Sequence, residues 1–196
     1  DDPDMIGDVM RFLDNVLSDF INKAPDQFKD AKYSAERERS VGLGVMGFHS
    51  FLQQKRIPLE SVMSKSWNKK IFKNIHEKVN QASKDLAEER GSCPDAAEYG
   101  FKERFSNKTA IAPTASISII CGGASPGVEP IAANSYTHKT LSGSFNVRNR
   151  YLEEILESHG KNDDETWSTI TTNQGSVSHL DFLTDLEKDV FKTAFE

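Results

Sequence analysis

Apolar residues recur along the start of the chain with a helical beat. Met5, Ile6, Val9, Phe12, Leu13, Val16, Leu17, Phe20 and Ile21 share one face of a helix over residues 4–22, and Pro25 closes it. Residues 26–40, DQFKDAKYSAERERS, carry charge without an apolar stripe and read as a connector. They lead into VGLGVMGFHSFLQQ, where a glycine-rich start gives way to a helix with Phe48, Phe51 and Leu52 on one side. Beyond Pro58 a long helix sets Trp67, Ile71, Ile75, Val79, Ala82 and Leu86 in register, and Gly91 ends it. CPDAAEYGFKERFSN has loop composition, and residues 108–112 form the one strand the pattern predicts, a buried one. A turn-rich connector around Pro126-Gly127 and Pro130 comes after it. Next are a helix over residues 149–158, with Tyr151, Leu152, Ile155 and Leu156 together, and a shorter one marked by Trp167 and Ile170, with a break at Gly175. Thr184 and Glu187 make a capping box for a final helix bearing Leu186, Val190, Phe191 and Ala194. No glycine, asparagine or proline stops that helix before Glu196, which predicts that the chain is a fragment. Helices with one strand point to part of an α/β architecture.

The predicted strand runs into an unusual turn, TAIAPTASISIICGG. Pro113 lacks an N–H and biases Ala112 away from the helical region, so the strand ends there. Ile117, Ile120 and Cys121 then fall at the spacing of one buried helical face, so a helix begins near Thr114 to Ser116. Its first amides have no partners inside the helix. One hydroxyl would cap them, yet Thr114, Ser116 and Ser118 supply three, with the small Ala115 between. Two readings stay open: a plain capped turn, which the residues by themselves favour, and a seat for an anion built from amides and hydroxyls, with no lysine or arginine in the turn.

The bulk properties narrow the function classes. Hydrophobic residues make up 37% and charged residues 28%, as in ordinary globular domains, and 196 residues suffice for one domain or a large piece of one. A net charge of −6 leaves no overall basic footprint for nucleic acid or an anionic membrane surface, and no apolar run is long enough to span a bilayer. Two cysteines, Cys93 and Cys121, fit neither a disulfide framework nor a zinc site and suggest a reducing, cytoplasmic setting. Cys121 reads as a small buried hydrophobe, and neither thiol has a basic neighbour in sequence to activate it.

Other signals carry less. Gly42, Gly44 and Gly47 spell the dinucleotide-binding glycine pattern, but Glu36 to Ser40 before them are no buried strand and Glu60 has no second strand to sit on. The glycines read instead as sites of close backbone approach. The histidines at 49, 76, 138, 159 and 179 show no metal-binding spacing and read as surface or capping residues. Lys69, Lys70 and Lys73 read as a solvated helix face.

AIAPTASISIICGGASPGVEP followed by NSYTHKTLSGSF resembles the catalytic large subunit of class I ribonucleotide reductase, in particular the forms of large tailed bacteriophages. RERSVGLGVMGFHSFL and GSVSHLDFLTDLEKDVFKTAFE extend the resemblance over essentially the whole chain. It implies that residues 1–196 are part of a ten-stranded α/β barrel, without the amino-terminal allosteric domain, the radical-cysteine loop or the carboxy-terminal tail. It further implies a ribonucleoside diphosphate or triphosphate substrate whose phosphates contact Pro113, Thr114, Ala115, Ser116, Ile117 and Ser118, and this moves the turn to the anion-seat reading. Some bacterial members place a glutamate where this chain has Ala115. The family's radical cysteine and glutamate lie in an Asn-x-Cys-x-Glu loop that this sequence lacks, and neither Cys93 nor Cys121 matches a catalytic cysteine. The resemblance therefore implies no catalytic residue and no metal site in this span, and no activity for the segment by itself. It implies partners: the rest of the large subunit, in cis or in trans, a metal-containing small subunit that generates the radical, and a thiol reductant. A non-catalytic nucleotide- or phosphate-binding module and a structural interaction domain are the alternatives.

Overall fold

The computed structural model describes residues 4–140 and 143–196. Asp1, and Leu141 and Ser142 of the NSYTHKTLSGSF stretch, lie outside the described residues, as does the side chain of His138. The chain divides into two compact units: Asp1–Gly44 with Asn68–Ala112, and Val45–Trp67 with Pro113–Glu196. Helices dominate both.

The first unit holds α1 (Met5–Lys23), α2 (Lys29–Glu38), most of α4 (Val62–Arg90) and α5 (Pro94–Glu98). Its core is Met10, Val79, Ala82, Leu86 and Phe105, with Ile6, Leu13, Val41, Leu43 and Ile75 packed against them. The buried face of α1 is thus rotated from the broad apolar stripe read in the sequence. Met10 and Asp14 are wholly buried, whereas Phe12 is 63% exposed. Asp14 can be buried because three arginines reach it. Oδ1 accepts from Arg39 Nη2 at 2.7 Å and Arg104 Nε at 2.9 Å, and Oδ2 accepts from Arg90 Nη1 at 2.7 Å. Two expected loops are helices. α2 replaces the charged connector, its Arg37 pairing with Glu98 and Asp95 of α5, and α5 opens on Pro94 at its first turn.

The expected strand over residues 108–112 is reduced to one parallel bridge, Leu43 with Thr109, framed by Leu43 N–H to Lys108 O at 3.0 Å and Ala110 N–H to Leu43 O at 3.1 Å. It is not buried: Ile111 is 82% exposed, because a single neighbouring segment covers one edge only. The glycine reading holds. A Cβ on Gly42 would stand 2.8 Å from Ala110 Cβ, and one on Gly44 would stand 2.9 Å from Ala110 O.

The second unit holds α3 (Phe48–Gln54), the first residues of α4, α6 (Ala115–Ile120), an antiparallel hairpin, α7 (Arg150–Ser158), α8 (Asp164–Thr172) and α9 (Asp185–Val190). The hairpin pairs β1 (Ser135–Thr140) with β2 (Gly143–Arg148) in the register Ser135–Arg148 to Thr140–Gly143, where the pattern predicted no strand. Leu152, Leu156, Trp167, Ile170, Val177, Leu180, Leu183, Val190 and Phe191 form the core. The expected Thr184–Glu187 box is complete, and two caps that the pattern did not name join it: Asn149 accepts from Tyr151 N–H and Asp163 from Thr166 N–H. α9 stops at Val190, not at the chain end. Asn134 Nδ2 donates to Phe191 O at 2.7 Å and Ala194 N–H turns to Ile131 O at 2.9 Å, so tertiary bonds end the helix without a terminator residue. The missing terminator therefore says nothing about chain length. Thr184→Ala removes one side of the box, and urea unfolding followed by Trp167 fluorescence is expected to show a loss of about 1 kcal/mol; an unchanged midpoint would make the box ornamental.

Candidate functional site

The turn read from the sequence stands at the start of α6. Thr114 is its N-cap residue with φ 51° and ψ 24°, the left-handed region, which is costly for a β-branched side chain. A plain capped turn would put the Thr114 hydroxyl on an amide of its own helix. It does not: Thr114 Oγ1 accepts from Gly127 N–H at 2.7 Å, and α6 has no side-chain cap. The N–H groups of Ala115, Ser116 and Ile117 consequently have no hydrogen-bond partner among the described residues, and Ser116 is exposed.

Ser118 behaves differently from its neighbours. It is buried, its N–H bonds Thr114 O at 2.9 Å and its hydroxyl donates back to Ala115 O at 3.0 Å. Its carbonyl accepts from Gly123 and Ala124 N–H groups. The expected apolar face is reversed: Ile117 and Ile120 are 52% and 80% exposed and Cys121 is exposed, whereas Cys93 is fully buried. Nothing in the second unit covers that face among the described residues.

The segment after α6 is pinned. Gly122 and Gly123 take positive φ, and the Arg150 guanidinium donates to Gly122 O. Ser125 and Ser50 exchange bonds: Ser125 N–H to Ser50 Oγ at 2.8 Å and Ser50 N–H to Ser125 Oγ at 3.1 Å. Ser125 O also accepts from Gly47 N–H at 2.8 Å. His49 is buried, not at the surface, and burial pushes its pKa down to about 4. Its neutral ring accepts from Ile131 N–H at Nδ1, which places the ring proton on Nε2.

A cavity of about 700 Å³ runs along the Ala115, Ser118 and Ile119 side of α6, with Asn134, Asn149 and Arg150 among its other walls. Thr114, Ser116 and Ile117 are not on it; of the three residues with open amides, only Ala115 lines the cavity. Three buried or half-buried amides stiffen its floor: Asn149 Nδ2 donates to Gln53 Oε1 and Asn134 Oδ1, and Asn134 Nδ2 donates to Gly175 O.

The remaining candidates are scattered. His76 meets Asn80, His159 meets Glu187 at 3.1 Å and His179 meets Thr169. Among the described residues no three His, Cys, Asp or Glu side chains gather as a metal site would require, and no helix is long and apolar enough to cross a membrane. Lys69, Lys70 and Lys73 lie exposed along α4. Ser50, Ser125, Gly127 and Arg150 carry no signal in the sequence, since their roles depend on partners up to 75 positions away.

Comparison with known proteins gives a consistent result. A model described as the ribonucleotide reductase barrel domain matches residues 3–103 and 95–196. The chain is 49% identical over 195 residues to a ribonucleoside-diphosphate reductase large subunit of Invertebrate iridescent virus 6, covering 97% of this chain and 20% of that protein. It is 46% identical to the corresponding subunit of Invertebrate iridescent virus 3, covering 95% of this chain and 30% of that one. Among solved structures it matches the alpha subunit of an Actinobacillus ureae class Id ribonucleotide reductase with a TM-score of 0.88 at 39% identity, over 98% of this chain and 35% of that one. The chain thus spans between a fifth and about a third of the length of these relatives.

Proposed function

The chain belongs to the ribonucleotide reductase barrel-domain family, and from that premise we propose that it is a segment of the large subunit of a class I ribonucleoside-diphosphate reductase, supplying the substrate's phosphate seat and part of the wall of a ten-stranded barrel. Both compact units belong to that one domain. The complete subunit replaces the ribose 2′-hydroxyl with hydrogen to make deoxyribonucleotides for DNA synthesis. It does so in the cytoplasm, that of the host if the chain is viral.

The observation that carries the proposal is the uncapped first turn of α6. The N–H groups of Ala115, Ser116 and Ile117 and the Ser116 hydroxyl offer four donors at one helix start, with its partial positive charge behind them. Thr114 Oγ1 already accepts a bond from Gly127, so its own proton is left to donate to a phosphate oxygen. Pro113 directs the chain into the turn, and Ser118, whose hydroxyl is held by Ala115 O, closes the helix behind the phosphate. These residues bind and orient the diphosphate without moving a proton. The hydrogen-abstracting cysteine and its glutamate come from the remainder of the subunit, because this sequence has no Asn-x-Cys-x-Glu loop. A metal-containing small subunit would supply the radical and a thiol reductant the electrons.

Titration calorimetry with CDP tests the seat. The chain is expected to bind CDP, and Ser116→Asp, which sets a carboxylate against the phosphate, is expected to weaken binding at least about tenfold. Binding indifferent to that change would overturn the seat. Deoxynucleotide formation only on mixing with the complementary portion of the subunit would separate an enzyme part from a free-standing binding module.

A further inference from the structure

The amides that begin α6 are open for a reason that lies outside the turn. Thr114 is the natural cap for its own helix, and a threonine N-cap ordinarily bonds the amide two or three residues on. Here its side chain is turned away, because Gly127 N–H holds Oγ1 at 2.7 Å. Gly127 can do so only if the loop that carries it is fixed, and the fixing bonds come from α3 and the residue before it. Ser50 and Ser125 are 8% and 1% exposed and exchange backbone-to-hydroxyl bonds of 2.8 and 3.1 Å. Gly47 N–H adds a third bond to Ser125 O. In each half of the exchange a buried amide depends on the other residue's hydroxyl, so loss of either oxygen leaves a buried donor unmet.

We infer that Ser50 and Ser125 are positioning residues for the phosphate turn: their reciprocal clasp holds Gly127 where it diverts Thr114 from capping α6. The inference rests on the phosphate reading for its ligand, but the clasp itself is independent of it. Neither serine touches the proposed phosphate. With the clasp cut, the 124–127 loop loosens, Gly127 releases Thr114, and the freed hydroxyl competes with the anion for the amides of Ser116 and Ile117. The two serines act as one unit in holding Gly127, so cutting both frees Gly127 no further than cutting one, although it leaves two buried amides unmet instead of one.

The test uses the 196-residue chain with Ser50→Ala, Ser125→Ala, the double variant and Ser125→Thr. Amide exchange at Gly127 is followed by NMR, and CDP affinity by calorimetry on protein verified as folded. Either alanine is expected to speed Gly127 exchange and weaken CDP binding about tenfold, the double variant to match the singles, and Ser125→Thr to stay within about twofold of wild type. A lower melting temperature with unchanged CDP affinity would reduce the clasp to a purely structural role and overturn the inference, as would unchanged Gly127 exchange. If the wild-type chain binds no CDP, the phosphate reading falls, and Gly127 exchange decides the clasp by itself. Should alanine unfold the unit, Ser50→Cys, with a weaker acceptor of similar size, is expected to give the same changes at smaller amplitude; no change in it overturns the inference.

Discussion

Asp14→Asn is expected to destabilise the first unit by about 3 kcal/mol, the scale seen when one partner of a buried ion pair is removed. The carboxylate is fully buried, and the side chains of Arg39 and Arg104 beside it are only 10% and 11% exposed. One negative charge serves three guanidinium groups, so neutralising it leaves two nearly buried cations facing each other. Arg39 keeps Ser18 Oγ and the Asp14 carbonyl, and Arg104 keeps the carbonyls of Arg90 and Gly91, which compensate in part. The acid response has the same origin. Burial pushes the Asp14 carboxyl up, and the bonds from Arg104, Arg90 and Arg39 outweigh it and hold it below the ordinary range. A depressed folded pKa means the stabilisation is complete above the unfolded value of about 3.9 and drains away as pH falls through the folded one. The gap between wild type and variant should therefore be flat near neutrality and close in acid. Hydrogen exchange of α1 and α4 amides is the right measurement, since Trp67 and Trp167 both lie in the second unit. Wild-type protection in the variant would show the hub to be dispensable.

Gly175→Ala is expected to cost about as much in the second unit, roughly 3 kcal/mol from overpacking and a left-handed backbone together. A Cβ there would stand 2.3 Å from Ala133 Cβ, 2.6 Å from Ala133 Cα and 2.9 Å from Asn134 N, and φ is +82°. The Gly175 carbonyl accepts from both the backbone and the side-chain amide of Asn134, whose other bond fixes Phe191 O. The clash therefore reaches the end of α9 and the core at Phe191. Urea unfolding read at Trp167 measures it. Adding Ala133→Gly removes the closest contact but not the one to Cα, so partial recovery is expected; full stability in Gly175→Ala would mean that the 133–134 segment yields freely.

Much of this is legible in the sequence where the cause is local. The capping box at Thr184, the start of α7 at Asn149 and the core of α7 and α8 arise from side chains within a turn of one another. The close approach at Gly42 and Gly44 is legible too, because three glycines in six residues have few other uses. α2 escapes a reading by periodicity because none of its residues is buried, and a charged helix without an apolar stripe leaves no periodic trace. The hairpin escapes it because β2 is almost wholly exposed and shows no alternation of buried and exposed positions. At residues 108–112 apolar composition suggests a buried strand, yet Ile111 is left largely uncovered by the described residues. At the site, the helix start after Pro113 is legible, but the serine clasp is not, since residues 50 and 125 meet only through the fold. Asp14 leaves no such trace: it lies outside the apolar stripe of α1, and its partners Arg90 and Arg104 stand 76 and 90 positions away.

Cys121 lies just past the last residue of α6, open to solvent, and Cys93 is sealed in the other unit. A maleimide dye added to the unaltered polypeptide would attach at a single thiol, one short helix away from Ala115. The protein thus comes with its own fluorescent reporter position for ligand arrival at that turn, no engineered cysteine required.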